Sequence, residues 1–122
     1  MKVIIAGTRK FSNYEMLKHD LDLYRSTTSV TEIVSGGCRG ADLLGEKYAK
    51  ENNIPIKRFP ANWEVYGKKA GPIRNEEMAE YADCLIAYWD SKSRGTKNMI
   101  ETMRKKHKPY LVYLVGEGEI VF

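Results

Sequence analysis

The stretch Ser35-Gly36-Gly37-Cys38-Arg39-Gly40-Ala41-Asp42 lies between a β-like run, Glu32-Ile33-Val34, and a helix-like run over residues 43–53. A glycine-rich turn joining a strand to a helix lets the backbone come close to a bulky anion. The first amides of the helix then point at that anion, helped by the positive end of the helix dipole. Gly36 and Gly37 are expected to serve this approach through positive φ or through the lack of a Cβ. The spacing is not that of a P-loop, which would end in Gly-Lys-Ser/Thr. A dinucleotide fingerprint would follow the first strand, whereas this turn follows the second. The alternative is an ordinary tight turn with a glycine pair.

Outward from this turn, strand-like and helix-like segments alternate. Residues 2–6, 31–35, 55–59, 83–88 and 109–115 read as five strands, and residues 119–122 as a short edge strand. Helical spacing marks residues 14–25, with Leu17, Leu21 and Tyr24 on one face and Ser12 or Asn13 available as cap. Further helices are expected over residues 41–53, 71–82 and 96–106, the third with Pro72 in its first turn. Residues 60–69 read as a loop. Strands separated by helices predict a parallel five-stranded sheet with right-handed crossovers and helices on both faces. That is an α/β three-layer domain spanning residues 1–122. Residues 2–6 are apolar throughout, as a central strand would be, which gives the order 3-2-1-4-5. Such sheets bind ligands at the carboxyl ends of their strands.

Four strand-to-helix junctions carry the chemistry. The first, Gly7-Thr8-Arg9-Lys10-Phe11, offers a hydroxyl and two cations. Arg9 can grip a phosphate bidentately and Thr8 can donate a hydrogen bond. The second is the glycine turn, where Arg39 adds a cation and Asp42 either caps the helix or accepts from a ribose hydroxyl. In the third, Arg74 and Asn75 occupy the first helical turn. Arginine there opposes the dipole, which suggests a task, unless it pairs with Glu77 or Glu80. The fourth, Trp89-Asp90-Ser91-Lys92-Ser93-Arg94-Gly95-Thr96, is a second small-residue turn before a helix. Trp89 either stacks on a base or belongs to the core, and Asp90 can hydrogen-bond a base.

Composition narrows the function classes. The chain has 122 residues, 43% hydrophobic and 30% charged, as befits one soluble domain. No apolar run approaches the ~20 residues of a membrane span, and a strand begins at once, leaving no visible signal peptide. Two cysteines, Cys38 and Cys84, fit a reduced cytoplasmic setting. With two distant histidines they do not supply the four ligands of a structural zinc, and no metal or cofactor is called for. The net charge of +4 favours anionic partners or simply solubility.

In order, Gly7-Thr8-Arg9, Ser35-Gly36-Gly37 with Arg39-Gly40-Ala41-Asp42, Ala70-Gly71 with Arg74-Asn75 and Met78, Ala82-Asp83, and Ser93 with Gly95-Thr96 resemble a known group. It is the SLOG superfamily of Rossmann-like proteins, and within it the small YspA, cpYpsA-related SLOG family. The resemblance runs over most of the chain. The superfamily includes the DNA-processing protein A core and the Lonely Guy phosphoribohydrolases, which release cytokinin bases from nucleoside monophosphates. It implies sensing or processing of nucleotide-derived ligands, often beside phage or bacterial conflict genes, and pairing through helices into a homodimer or higher homo-oligomer. The Lonely Guy enzymes carry acids just after the Gly-Thr of their last phosphate loop. Here Lys97-Asn98-Met99 follow Gly95-Thr96, and Glu101 comes one turn later. Arg74 matches the arginine of the pair, and Asp90 or Glu76 would have to replace the acid.

The leading expectation is therefore a nucleotide or nucleotide-derivative binding module, sensor or accessory. A nucleoside-phosphate N-glycosidase is the runner-up, with Arg74, Asp90 and Glu76 as catalytic candidates. Single-stranded nucleic-acid binding is the third reading and is not favoured. It needs a basic track, for which Lys92, Arg94 and Lys97 are available. Arg104, Lys105, Lys106 and Lys108 lie at a helix C-terminus, where cations are expected anyway.

Overall fold

The computed structural model describes residues 1–116. The expected edge strand over residues 119–122 lies outside them. Five strands, β1 (Lys2–Gly7), β2 (Glu32–Ser35), β3 (Ile56–Arg58), β4 (Cys84–Trp89) and β5 (Tyr110–Leu114), form one sheet. Its order is β3-β2-β1-β4-β5, with every pairing parallel. The α/β class and the central place of β1 are as the sequence predicts. β1 alternates its burial between two cores. Val3 and Ile5 join one cluster, while Ile4 and Ala6 join the other. Period-2 geometry sends successive side chains to opposite faces, so a strand covered on both sides is apolar at every step.

Helices α1 (Tyr14–Thr27) and α2 (Ala41–Glu51) cover the first face. Leu17 and Leu21 of α1 and Ala41, Tyr48 and Ala49 of α2 complete that core. α1 starts where Asn13 accepts a hydrogen bond from the Met16 amide at 3.1 Å. α4 (Ala70–Tyr81) and α5 (Arg94–Lys105) cover the other face. They contribute Met78, Ala79, Met99 and Met103. No helix among the described residues is long and apolar enough to cross a membrane.

The segment read as a loop over residues 60–69 is helical in part. A single turn, α3 (Trp63–Tyr66), is followed by a 3₁₀ turn (Gly67–Lys69) that runs directly into α4. The Asn62 side chain caps α3 by accepting from the Val65 amide at 3.2 Å. Four residues are too few to show a 3.6-residue period, which is why pattern alone misses the turn. α5 starts at Arg94, two residues ahead of the expected Thr96, with the Lys97 amide donating to the Ser93 carbonyl at 3.1 Å.

Candidate functional site

The first junction is locked from below. The Thr8 amide donates to the Tyr88 carbonyl at 2.8 Å, and the Thr8 hydroxyl accepts from the Asp90 amide at 3.0 Å. Phe11 stacks on Tyr88 with centroids 4.6 Å apart, and Tyr88 stacks on Tyr113 at 5.4 Å. The loop is thus pinned at both ends, and Arg9 between them stays exposed.

The glycine turn presses against this loop. Gly40 has φ of 83°, and a Cβ there would sit 2.3 Å from the Thr8 carbonyl oxygen. Ser35 is fully buried. Its hydroxyl donates to Glu46 at 2.6 Å and accepts from the Gly37 amide at 3.0 Å. Arg58 Nε donates to the same Glu46 carboxylate at 3.0 Å. Burial would raise the Glu46 carboxyl, but Arg58 and Ser35 outweigh it and hold it below the usual range. At Gly36 the space a Cβ would take is occupied by side chains of the protein itself. A Cβ there would lie 2.6 Å from Arg74 Nη1 and 2.9 Å from Asp42 Oδ2, so it yields its space to a protein cation. Gly37, at φ of 75°, would aim a Cβ at Arg58, 3.3 Å away.

Arg74 is buried, and it pairs with neither Glu77 nor Glu80. Its Nη1 donates to the Gly36 carbonyl at 2.8 Å and its Nε to Asn75 Oδ1 at 3.1 Å. Asn75 Nδ2 then donates to the Gly95 carbonyl at 3.2 Å and to Asn98 Oδ1 at 2.9 Å. These two residues clamp α4 to both small-residue turns. Glu76 points elsewhere, to Lys106 at 2.6 Å on the surface.

Between the turns lies a cavity of about 550 Å³, within the usual range for small-ligand sites. Of the sequence-predicted residues, it is lined by Gly7, Arg9, Asp42, Arg74, Asn75, Ser93, Gly95 and Thr96. Thr8, Ser35, Gly36, Gly37, Arg39, Gly40, Trp89 and Asp90 are not part of the lining. Most of these shape it from behind. Asp90 closes the fourth junction by accepting from the Lys92 and Ser93 amides, each at 2.8 Å. Burial works against its charge, yet the Ser93 and Lys92 amides and the Thr8 hydroxyl hold its carboxyl below the ordinary value. Trp89 donates its indole N–H to the Ser93 carbonyl at 3.0 Å. Arg39 is exposed outside the lining.

Sequence reading missed Trp63 and Lys68, which reach the cavity from the supposed loop, and Asn98; Cys38 and Arg94 lay within the junctions it singled out but were not named as site residues. The available signal was an aromatic residue followed by Gly67-Lys68-Lys69 just before the Arg-Asn helix start. The lining holds four cations, Arg9, Lys68, Arg74 and Arg94, against one carboxylate, Asp42. Burial pushes Asp42 up to about 6, despite the Cys38 amide and Arg74, which favour its charge. At the α5 end, the Ser93 and Thr96 hydroxyls lie 3.2 Å apart, each with hydrogen-bonding capacity to spare. Among the described residues, no three His, Cys, Asp or Glu side chains gather as a metal site would require.

The family model of the YspA, cpYpsA-related SLOG family matches residues 1–66. The Gene 61 protein of Mycobacterium phage D29 is 31% identical over 118 residues, covering 90% of this chain and 94% of its own. The fold is shared with DNA processing protein A from Streptococcus pneumoniae, at a TM-score of 0.73, 16% identity and 91% of this chain. This chain spans 49% of that protein's length. DNA processing protein A from Helicobacter pylori, described for its single-stranded DNA binding mode, aligns at a TM-score of 0.72 and 20% identity. That match covers 98% of this chain and 67% of the other.

Proposed function

The chain belongs to the YspA, cpYpsA-related SLOG family, and from that premise we propose that the cavity at the carboxyl edge of its sheet binds a nucleotide or nucleotide-derived anion. The observation that carries this reading is the lining itself, four cations against one carboxylate in a cavity of about 550 Å³. Three of the cations, Arg9, Lys68 and Arg94, are exposed and free to close on a ligand, while Arg74 is fixed in the floor. The start of α5 supports the anion assignment, since no side chain caps its first amides.

Isothermal titration with inorganic phosphate and with nucleoside 5′-mono-, di- and triphosphates tests the reading. At least one nucleotide should bind once per chain. Arg94→Ala should weaken it by about 1.5–3 kcal/mol, the scale of a charge-assisted hydrogen bond, without altering the melt. Absence of binding by every nucleotide and by phosphate overturns the proposal.

A second reading, single-stranded nucleic acid laid across the same cavity, draws on the Helicobacter pylori protein, whose binding of single-stranded DNA belongs to that protein. The exposed cations around the cavity mouth favour it here. Length and salt dependence separate a strand from a free nucleotide.

A further inference from the structure

Aromatic rings in this protein are mostly paired. Phe11, Tyr88 and Tyr113 form a stack, and Phe59 tilts against Tyr81. Lys47 covers Tyr14, and Arg25 approaches Tyr48. Trp63, Tyr24, Tyr66, Trp89 and Tyr110 take part in no ring or cation–π pair among the described residues. Of these five, Trp63 lines the cavity, and it is 55% exposed. An indole holds a large apolar surface, and leaving more than half of it in water forgoes the burial that other rings here obtain.

The turn that carries the ring is also anchored. Asn62 caps the turn that carries it, and the chain passes without a break through Gly67–Lys69 into α4. The Cη2 edge lies 3.6 Å from where a Cβ on Gly71 would be, so the first turn of α4 backs it. Trp89, the other tryptophan, has its N–H committed to the Ser93 carbonyl and lies outside the lining. The cavity lining therefore holds two chemically different groups of residues. One offers apolar surface, the Trp63 indole and the Pro72 ring, with the cation Lys68 on the same segment. The other carries Arg94, Ser93 and Thr96, hydroxyls and a cation at the start of a helix.

We propose that Trp63 is the base-stacking wall of this cavity, so that its ligand is a nucleoside 5′-phosphate with the base on the indole and the phosphate at the Ser93–Thr96 turn. This rests on the nucleotide reading above and adds which part of the ligand confers affinity. Every nucleobase has a π-face, so the wall selects for a base over a bare sugar phosphate without choosing among bases.

The test titrates the parent protein, Trp63→Ala and Trp63→Phe with nucleoside 5′-monophosphates, ribose 5-phosphate and a ten-nucleotide single strand. Sedimentation of each variant runs alongside. The parent should bind nucleotide more tightly than ribose 5-phosphate, with quenching of indole emission. Trp63→Ala should lose about ten- to hundredfold in nucleotide affinity and leave ribose 5-phosphate binding as it was. Trp63→Phe should retain most of the affinity and lose the quenching. Equal losses for nucleotide and ribose 5-phosphate, or none for either, overturn the stacking wall while sparing the anion site. Failure of the parent to bind either ligand overturns the stacking wall, and overturns the anion site as well when nucleoside di- and triphosphates and inorganic phosphate also fail to bind. A strand that binds while mononucleotides fail to compete assigns the wall to nucleic acid and overturns the free-nucleotide ligand. A change of oligomeric state in Trp63→Ala with nucleotide affinity intact makes Trp63 a contact between copies, and also overturns the proposal.

Discussion

Asp42 is where the cavity's charge can be changed by a single proton. It is the one carboxylate among the lining residues, and burial lifts it to about 6 from an ordinary 3.8. Below that value it is neutral and the cations act on a ligand unopposed. Above it, the negative charge partly cancels Arg74. Anion affinity should therefore rise as pH falls through 6, and Asp42→Asn should remove that part of the rise. Comparing the two proteins across pH 5–7 cancels the titration of the phosphate itself. Stability follows the same sign. The folded carboxyl holds its proton more tightly than the unfolded one, so this group stabilises fully below about 3.8 and loses its contribution as pH rises through about 6. Urea unfolding of the parent and Asp42→Asn at pH 4 and 7 reads that difference. Arg74 carries a structural role beside the ligand-facing one its position in the sequence suggests. Its guanidinium is bonded to Gly36 and Asn75, so Arg74→Ala should destabilise by about 1.5–3 kcal/mol as well as weaken binding. Arg74→Lys should recover little, since one ammonium cannot reach along the directions of a planar fork. A variant melting like the parent would return Arg74 to a purely ligand-facing role.

Among the elements, α2 is set most tightly, because it carries the glycine turn against β1. Its Gly45 faces Ile5, and a Cβ there would stand 2.7 Å from the Ile5 Cβ. No flexible chain end is available to give way. Gly45→Ala gains about 1 kcal/mol in helix propensity, yet overpacking at this contact should cost about 1–3 kcal/mol. The expected net is a loss of stability, read by denaturant unfolding, with nucleotide affinity falling as the turn is displaced. A gain would mean that α2 slides freely over β1. The elements that sequence made legible are those with room for a period. Leu17 and Leu21 announced α1, and the apolar run of β1 announced a central strand. α3 could not be read, since one turn has no period and its cap, Asn62, resembles any loop asparagine. The site was legible in the same uneven way. Gly7, Arg9, Asp42 and Thr96 could be named because they follow strand ends, and Arg74 because an arginine near a helix start opposes the dipole. Trp63 and Lys68 reach the cavity only through the packing of α3 on α4. Gly36 was singled out for close backbone approach to an anion, but sequence could not say that its neighbour would be Arg74.

At the scale of the whole molecule, the sheet order sets where the cavity lies. The chain lays β2 and β3 to one side of β1 and then returns to place β4 and β5 on the other. Successive crossovers leave in opposite directions there, and the loops after β1 and β4 part to leave a crevice. Ala6, Gly7 and Arg9 line it from one side and Ser93 to Thr96 from the other. This location followed from strand and helix alternation alone, whereas the occupant depends on how far the positive potential extends. The formal net charge of +4 is spread over twenty Lys and Arg and sixteen Asp and Glu, and Lys106 is consumed by Glu76 and Glu80. If the cavity alone attracts the ligand, few counterions are released on binding. For single strands, log affinity falls against log salt with a slope of roughly 0.7 per phosphate neutralised. A nucleoside monophosphate should therefore show a slope of about 0.7, and oligonucleotides of five, ten and twenty units should show nearly the same value. Titrations between about 50 and 300 mM salt measure it. A slope that steepens with each added length would mean that phosphates beyond the cavity are gripped, and the protein would then be a single-strand binder that uses this pocket for one of its nucleotides.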